Sequence, residues 1–220
     1  MKRTAIIVAG GSGSRIGGPT PKQFLPLSGK PVLMHTLLQF AASDRIIVVL
    51  PEGQIPYWKE LVKSYGFTLP HTVVPGGASR YESVRNGLAS ADPESVIAVH
   101  DGVRPIVSEP LINRCYETAA LHGTCIPVCS IPDSIRVKED ESSRPADRNR
   151  FLLVQTPQCF QGAYIGKAYN GADQPGFTDD ASVLEAAGIP LHFTEGERWN
   201  IKITFPEDLK VAEALLKHRT

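Results

Sequence analysis

The chain has no Cys-x-x-Cys pair, no histidine cluster and no surplus of either charge, and each absence removes a class of function. Its four cysteines are Cys115, Cys125, Cys129 and Cys159. Only Cys125 and Cys129 lie near one another, inside an apolar stretch and without a histidine beside them. Reduced core thiols are expected in preference to a metal site. Basic and acidic residues balance at 23 each, and the pI is near 7.0. Binding to nucleic acid or to an anionic membrane needs a basic excess, so neither is an expected partner. No apolar run approaches the length of a bilayer span. The first strand pattern begins at about residue 4, which leaves no room for a signal peptide, and a cytoplasmic location is expected. No repeat, low-complexity tract or linker breaks the 220 residues, which suit one α/β domain.

Two nucleotide-binding fingerprints are also missing, each by a small margin. The first apolar run opens into a glycine-rich loop, Ile6-Ile7-Val8-Ala9-Gly10-Gly11-Ser12-Gly13-Ser14-Arg15-Ile16-Gly17, and Pro21-Lys22-Gln23 follows. The dinucleotide pattern G-x-G-x-x-G starts at Gly11 and Gly13 but meets Ile16 where its third glycine belongs. The Walker pattern fits Gly13 and Gly18 but meets Pro19 where its lysine belongs. What remains is a strand opening into small residues, with two cations beyond it. Glycines let backbone N–H groups approach phosphate oxygens, and Arg15 and Lys22 supply positive charge. A plain strand-to-helix turn would share these features.

Along the chain, apolar runs alternate with helical patterns. Strands are expected at Thr4–Ala9, Arg45–Leu50, His71–Val74, Ser95–His100 and Thr124–Val128, and helices near Pro31–Ala42, Ile55–Tyr65, Arg80–Ala91 and Pro110–His122. Continuous Val/Ile runs mark strands covered on both faces, so the fold class is a doubly wound, Rossmann-like α/β sheet, mostly parallel. Ser79-Arg80-Tyr81-Glu82 reads as a capping box, and Thr204-Phe205-Pro206-Glu207 opens the last helix in the same way. The rhythm breaks at about residues 131–155. Ile131–Val137 alternates like an exposed strand, Lys138–Arg150 is charged, and Phe151–Gln155 resembles a returning strand. A two-stranded arm alone in water is marginal, so a second subunit is the expected support.

Six further segments offer functional groups, and each has an ordinary reading beside the chemical one. Gly76-Gly77-Ala78-Ser79-Arg80 enters a helix whose N–H groups would suit anions or carbonyls. His100-Asp101-Gly102-Val103-Arg104 ends a strand, where Asp101 could hold Mg²⁺ against phosphate oxygens or simply pair with Arg104. His100 has no partner histidine and reads as a packing residue. Arg148 on the arm could clamp a phosphate or be a solvated charge. Gln155-Thr156-Pro157-Gln158 reads first as a turn. Thr178-Asp179-Asp180 reads as a helix start, and Lys202, alternating with Ile201 and Ile203, as a solvated strand residue.

Taken in order, AGGSGSR, PKQF, GGASRYESV, HDGVRP, DRN, QTPQ, TDDAS and NIKIT…PEDL resemble the cytidylyltransferases that act on polyol phosphates, over essentially the whole chain. The resemblance implies transfer of a cytidylyl group from CTP to a polyol phosphate with Mg²⁺, the acceptor being methylerythritol phosphate or, as the alternative, ribitol phosphate. A non-catalytic nucleotide binder is the reading of a different class. The resemblance gives Arg15, Lys22, Arg148 and Lys202 catalytic roles as cations. It gives Ala9, Gly10, Gly11, Gly13, Gly77, Ala78, Arg80, Ser83, Asp101 and Gly102 to the nucleotide, with Asp101 also the metal ligand. It gives Arg104, Ser134, Thr156, Thr178 and Asp179 to the acceptor side. It further implies a homodimer that exchanges its arms, so that Ser134 and Arg148 serve the neighbour's site. Two departures stand out: Gly102-Val103 replaces a common pair of alanines, and Trp199 stands where relatives can carry an acidic residue.

Overall fold

The structure is a computed structural model that describes residues 1–10, 20–171, 173–174 and 176–218. Gly11, Gly13 and Arg15 of the glycine loop lie outside the described residues. The first half contains β1 (Arg3–Val8), the short pair β2 (Pro26–Leu27) and β3 (Lys30–Pro31), α1 (Val32–Gln39), β4 (Arg45–Leu50), α2 (Ile55–Ser64), β5 (Thr72–Pro75), α3 (Arg80–Leu88) and β6 (Val96–Asp101). Then come α4 (Glu109–His122), β7 (Thr124–Ser130), β8 (Ile135–Lys138), β9 (Ser143–Ala146), β10 (Leu152–Val154), β11 (Gln158–Gln161), α5 (Gly162–Ala168), α6 (Asp180–Ala186), β12 (Phe193–Glu195) and α7 (Pro206–Lys217).

The main sheet runs β10-β7-β11-β6-β1-β4-β5, with β12 also paired to β7. β1 lies parallel to both β4 and β6, and β4 is parallel to β5; β10 and β11 run antiparallel to their neighbours. The expected doubly wound α/β class is therefore the observed one. Alternation within strands sorts the core. Ala5 and Ile7 of β1 face α1, α2 and α4, whereas Ile6 faces α3, α5 and α6. A third cluster places α7 over the β2–β3 turn through Leu27, Val32, Ile203 and Ala212.

The arm differs from its expected form. The returning strand does not pair with the outgoing one: β10 joins the main sheet against β7, with Leu152 opposite Ser130 and Val154 opposite Val128. The arm's own ladder forms within the charged segment instead, between β8 and β9. Three apolar residues ending at Val154 are more stable adding to an existing sheet than extending an isolated ribbon. The start of the last helix also shifts by one residue. Asp208, not Glu207, reaches back, its Oδ2 accepting the N–H groups of Thr204 at 2.7 Å and Phe205 at 2.8 Å.

α3 approaches the sheet closely because Gly87 has no side chain: a Cβ there would lie 2.7 Å from Ile6 Cγ2 and 3.1 Å from Val49 Cγ2. Both contacts come from β-branched residues that cannot swing aside. Helix propensity favours Gly87→Ala by about 1 kcal/mol. Overpacking costs about 1–3 kcal/mol and should outweigh it. The variant is expected to unfold at lower urea than the wild type by circular dichroism; an equal or higher midpoint would show that α3 lifts off the sheet freely.

Candidate active site

The chain leaves β1 for β4 on one side and returns to β6 on the other, so the strand order reverses at the carboxyl ends of β1 and β6. In open α/β sheets that reversal opens a crevice for ligands. Here the register sets Val8 opposite Asp101. Gly102 donates its N–H to Val8 O at 2.8 Å, and a Cβ on Gly102 would lie 2.8 Å from that of Ala9. Gly102 thus lets the two strand ends close, and it is not among the residues that border the two clefts below.

Two clefts meet over these ends. The first, of about 290 Å³, is bordered by Ala9 and Gly10, by Lys22, by Gly77, Ala78 and Ser83, and by Arg80, Asp101 and Lys202. The second, of about 250 Å³, shares the last three and adds Arg104, Thr156, Thr178 and Asp179. Arg80, Asp101 and Lys202 therefore form a common wall. The Lys22 segment is held by Gln23, whose Nε2 donates to Ala9 O at 2.9 Å, and by Lys22 Nζ, which donates to Ile203 O at 3.1 Å. Lys202 is exposed but is not the strand residue of the sequence reading: residues 201–204 are irregular, and its ammonium lies 3.1 Å from Asp101 Oδ2.

Asp101 is the charge centre of the site. Arg104 Nε donates to the same Oδ2 at 3.0 Å, so one carboxylate oxygen carries two cations. Burial alone would raise this carboxyl's pKa. The charges of Lys202, Arg104 and Arg80 outweigh burial and hold it well below the usual carboxylate range. Arg104 also donates through Nη1 to Asn200 O at 2.8 Å, joining the β6 end to the segment that carries Lys202.

Behind Asp101 a closed hydrogen-bond chain fixes the strand end. The Asp101 N–H donates to Thr156 Oγ1 at 3.1 Å, and Thr156 lies 3.0 Å from His100 Nδ1. Nε2 of His100 faces Arg104 O at 3.2 Å. A carbonyl only accepts, so Nε2 carries the proton and bare Nδ1 accepts from the Thr156 hydroxyl. His100 is the packing residue expected. Thr156 borders the second cleft, but its hydroxyl is engaged behind it.

Arg80 enters the wall half-buried, paired with the fully buried Asp180. Its Nη1 and Nη2 donate to Asp180 Oδ1 and Oδ2 at 2.9 and 2.6 Å, and the Tyr169 hydroxyl adds a bond to Oδ1 at 2.6 Å. Desolvation works against the guanidinium charge, but Asp180 outweighs it, and the Arg80 pKa is raised. Removing Arg80 would leave the Asp180 carboxylate buried and without its cation, which for a buried charge costs about 3–5 kcal/mol. Asp179 caps α6, its Oδ1 accepting from Ser182 N at 3.0 Å and its Oδ2 from Gln158 Nε2 at 2.8 Å.

Among the described residues, the two clefts bring together those expected at the site except Gly102, which lies at the strand contact above, and the arm residues Ser134 and Arg148. Both are exposed on the arm, and neither borders a cleft of its own chain. Arg148 instead donates to Pro132 O. Three supporting residues were not singled out from the sequence. Asp180 was hidden in a helix-start pattern. Asn200, fully buried, donates to Thr156 O at 2.8 Å. Gln155 clasps the backbone of Glu197 with both ends of its amide, at 2.7 and 3.1 Å.

Residues 3–218 match the family model described as IspD: 2-C-methyl-D-erythritol 4-phosphate cytidylyltransferase. A protein of that name from Bacteroides thetaiotaomicron is 49% identical over 219 residues, covering 98% of this chain and 100% of the relative. One from Porphyromonas gingivalis is 46% identical over 98% of each chain. Among solved structures, 2-C-methyl-D-erythritol 4-phosphate cytidylyltransferase from Thermus thermophilus superposes with a TM-score of 0.83 at 34% identity, covering 99% of this chain and 100% of that one.

Burial pushes the His100 pKa down to about 4, from an ordinary value of about 6.5. Between those values the unfolded chain binds the proton and the folded chain does not. His100 therefore contributes stability that is complete above about pH 6.5 and is lost as pH falls towards 4. Urea unfolding from pH 7.5 to 4 should show a falling midpoint, and His100→Gln should flatten it. An equal slope in the variant would mean that His100 titrates normally.

Proposed function

The chain belongs to the 2-C-methyl-D-erythritol 4-phosphate cytidylyltransferase family, and from that membership we infer that its two joined clefts are where nucleotide and acceptor meet. The chain transfers a cytidylyl group from CTP to 2-C-methyl-D-erythritol 4-phosphate, giving 4-CDP-2-C-methyl-D-erythritol and pyrophosphate, in non-mevalonate isoprenoid precursor synthesis. The observation that carries the placement is the shared wall of Arg80, Asp101 and Lys202 between one cleft bordered by Lys22 and another bordered by Arg104.

The attacking atom is an oxygen of the acceptor phosphate, already anionic near neutral pH. It bonds to the α-phosphorus of CTP as the bond from that phosphorus to the bridging oxygen breaks, and pyrophosphate leaves. No general base is required, which fits a site whose one histidine is buried and neutral. The obstacle is repulsion between two polyanions and then charge growth on the phosphates, so positioning and electrostatic stabilisation dominate. We assign Lys22 and Arg15 to the α-phosphate under attack, and Lys202 with Arg148 of a second subunit to the acceptor phosphate. Arg104, Thr156, Thr178 and Asp179 shape the acceptor cleft. Ala9, Gly10, Gly77, Ala78 and Ser83 frame the base, whose amino group backbone carbonyls read, because it donates where uracil accepts.

Mg²⁺ suits Asp101. Magnesium takes one or two carboxylates and fills its shell with substrate phosphates and water. Asp101 is held in its ionised form and borders both clefts. When bound, the ion would neutralise charge on the phosphate oxygens.

We further propose one catalytic domain over residues 1–220, a cytoplasmic setting and a homodimer with exchanged arms. No described helix is long and apolar enough to cross a membrane. Four consecutive apolar residues at the base of the arm, Phe151 to Val154, are 43–52% exposed. A strip of that kind calls for cover, and a second copy would bring Ser134 and Arg148 to its neighbour's cleft.

Pyrophosphate release from CTP and Mg²⁺ with methylerythritol phosphate tests the reaction. Release with ribitol phosphate alone would overturn the acceptor, and no release with either would overturn the enzyme. Lys22→Ala is expected to lower kcat on the order of 10²-fold or more, as for loss of a transition-state charge contact, and a near-normal value would mean a misassigned site. Mixing inactive Lys22→Ala with inactive Arg148→Ala subunits should restore activity if arms are exchanged, because one site of the hybrid is whole. No recovery after verified subunit exchange would count against the exchange.

A further inference from the structure

The chain contains two Asn-Gly pairs, Asn86-Gly87 and Asn170-Gly171, and the fold treats them in opposite ways. Asparagine before glycine readily loses its side-chain amide, because glycine has no side chain to shield its backbone nitrogen. Asn86-Gly87 lies inside α3, where the Gly87 nitrogen belongs to the helical ladder and Gly87 packs against Ile6 and Val49. The Asn86 side chain is also held, its Nδ2 donating to Pro75 O at 3.1 Å. Asn170-Gly171 instead follows the end of α5, and both residues are exposed. Among the described residues, no hydrogen-bond partner meets the Asn170 side chain, and the Gly171 N–H reaches Ala168 O only at 3.5 Å.

The backbone on either side of Asn170 is tied to the site. The Tyr81 hydroxyl, from α3, shares its proton between Tyr169 O at 3.0 Å and Gly171 O at 2.7 Å, the two carbonyls that flank Asn170. The Tyr81 and Tyr169 rings stack, with centroids 4.6 Å apart. Tyr169 gives its own hydroxyl to Asp180, the carboxylate that holds Arg80. A continuous path of hydrogen bonds therefore runs from the Asn170 backbone to a residue that borders both clefts.

We propose that Asn170 is a site of spontaneous covalent modification, deamidation to isoaspartate, and that its conversion loosens Arg80 and lowers activity. The Gly171 nitrogen attacks Asn170 Cγ. The Cγ–Nδ2 bond breaks, and the amide leaves as ammonia with the proton from Gly171. Water then opens the cyclic imide. Attack at the main-chain carbonyl breaks its bond to Gly171 and leaves isoaspartate, joined through Cγ; attack at Cγ leaves aspartate. Isoaspartate adds one methylene to the main chain between the two carbonyls that Tyr81 holds, and it frees a carboxylate beside them. One hydroxyl then no longer spans both carbonyls.

The effect on activity rests on the cytidylyl-transfer reading; the modification itself does not. Purified wild type is aged at mildly alkaline pH, and both Asn-Gly peptides are followed by mass spectrometry. Isoaspartate is counted by the methyl label that protein isoaspartyl methyltransferase attaches to it. Asn170 is expected to convert at least about tenfold faster than Asn86, whose reaction needs the helix to open. In the isoaspartate form kcat/KM is expected to fall about tenfold or more, as for a displaced site residue. Gly171→Ala places a Cβ 3.6 Å from Ala168 O, an ordinary contact, and slows ring closure, so its activity should start at the wild-type level and persist on ageing. Asn170→Asp adds the charge without lengthening the chain and should keep kcat/KM within about threefold. An Asn170 that stays intact, or reacts no faster than Asn86, overturns the proposal. So does full activity in isoaspartate-rich protein, an equal loss in aged Gly171→Ala, or an Asn170→Asp variant as impaired as the aged protein. A fresh wild type that releases no pyrophosphate overturns the reaction instead. The peptide map and a lowered melting temperature of the aged protein then still decide the modification and the loosening.

Discussion

One oxygen atom, Asp101 Oδ2, holds two cations from different parts of the chain, and the site depends on that arrangement. Arg104 comes from the turn after β6 and Lys202 from the segment before α7, nearly a hundred residues later. Without the carboxylate, two positive side chains beside Arg80 would repel one another and spread into solvent. Without the cations, a buried carboxylate would take up a proton. Each makes the other tenable, and the result is a compact electropositive wall that needs no substrate to assemble it. Such preorganisation matters most when the reactants are themselves polyanions, because reorganisation during the reaction is what slows charge neutralisation.

The backbone behind this wall is fixed by neutral groups. His100, Thr156 and the Asp101 amide pass hydrogen bonds along a buried chain that involves no charge. Asn200 and Gln155 then attach the Lys202 segment to the same strand end. Around Asp101 the supports are thus uncharged, which is less costly in a low-dielectric interior, whereas Arg80 rests on the buried carboxylate of Asp180.

Much of this was legible in the sequence. Continuous Val/Ile runs gave the covered sheet, and short motifs at strand ends marked the residues that border the clefts. What escaped was long-range. Asp180 looks like any acidic first-turn residue until Arg80, a hundred positions earlier, is laid against it. Lys202 alternates with isoleucines as a strand residue would, yet its role comes from Asp101 rather than from local periodicity. The arm was legible as an interruption but not as a ladder, because β10 had a better partner in β7 than in the outgoing strand. The capping motif at Ser79 was half right: Ser79 Oγ accepts the Glu82 N–H, but the Glu82 carboxylate takes the N–H of Ala78. Local pattern cannot say which of two neighbouring N–H groups a flexible carboxylate will choose.

The run from Leu152 to Gln161 pairs at both ends with the main sheet, carries Gln155 and Thr156 between them, and opens β11 with Gln158. It divides the neighbouring sequence into regions of very different tolerance to length change. Extra residues at the turn between β8 and β9 would only lengthen a ribbon whose tip supports nothing else. A single residue inserted between Val154 and Gln158 would force a register slip, turning each following side chain to the opposite face. Natural variation in chain length should therefore accumulate at the tip and be purged a dozen residues later.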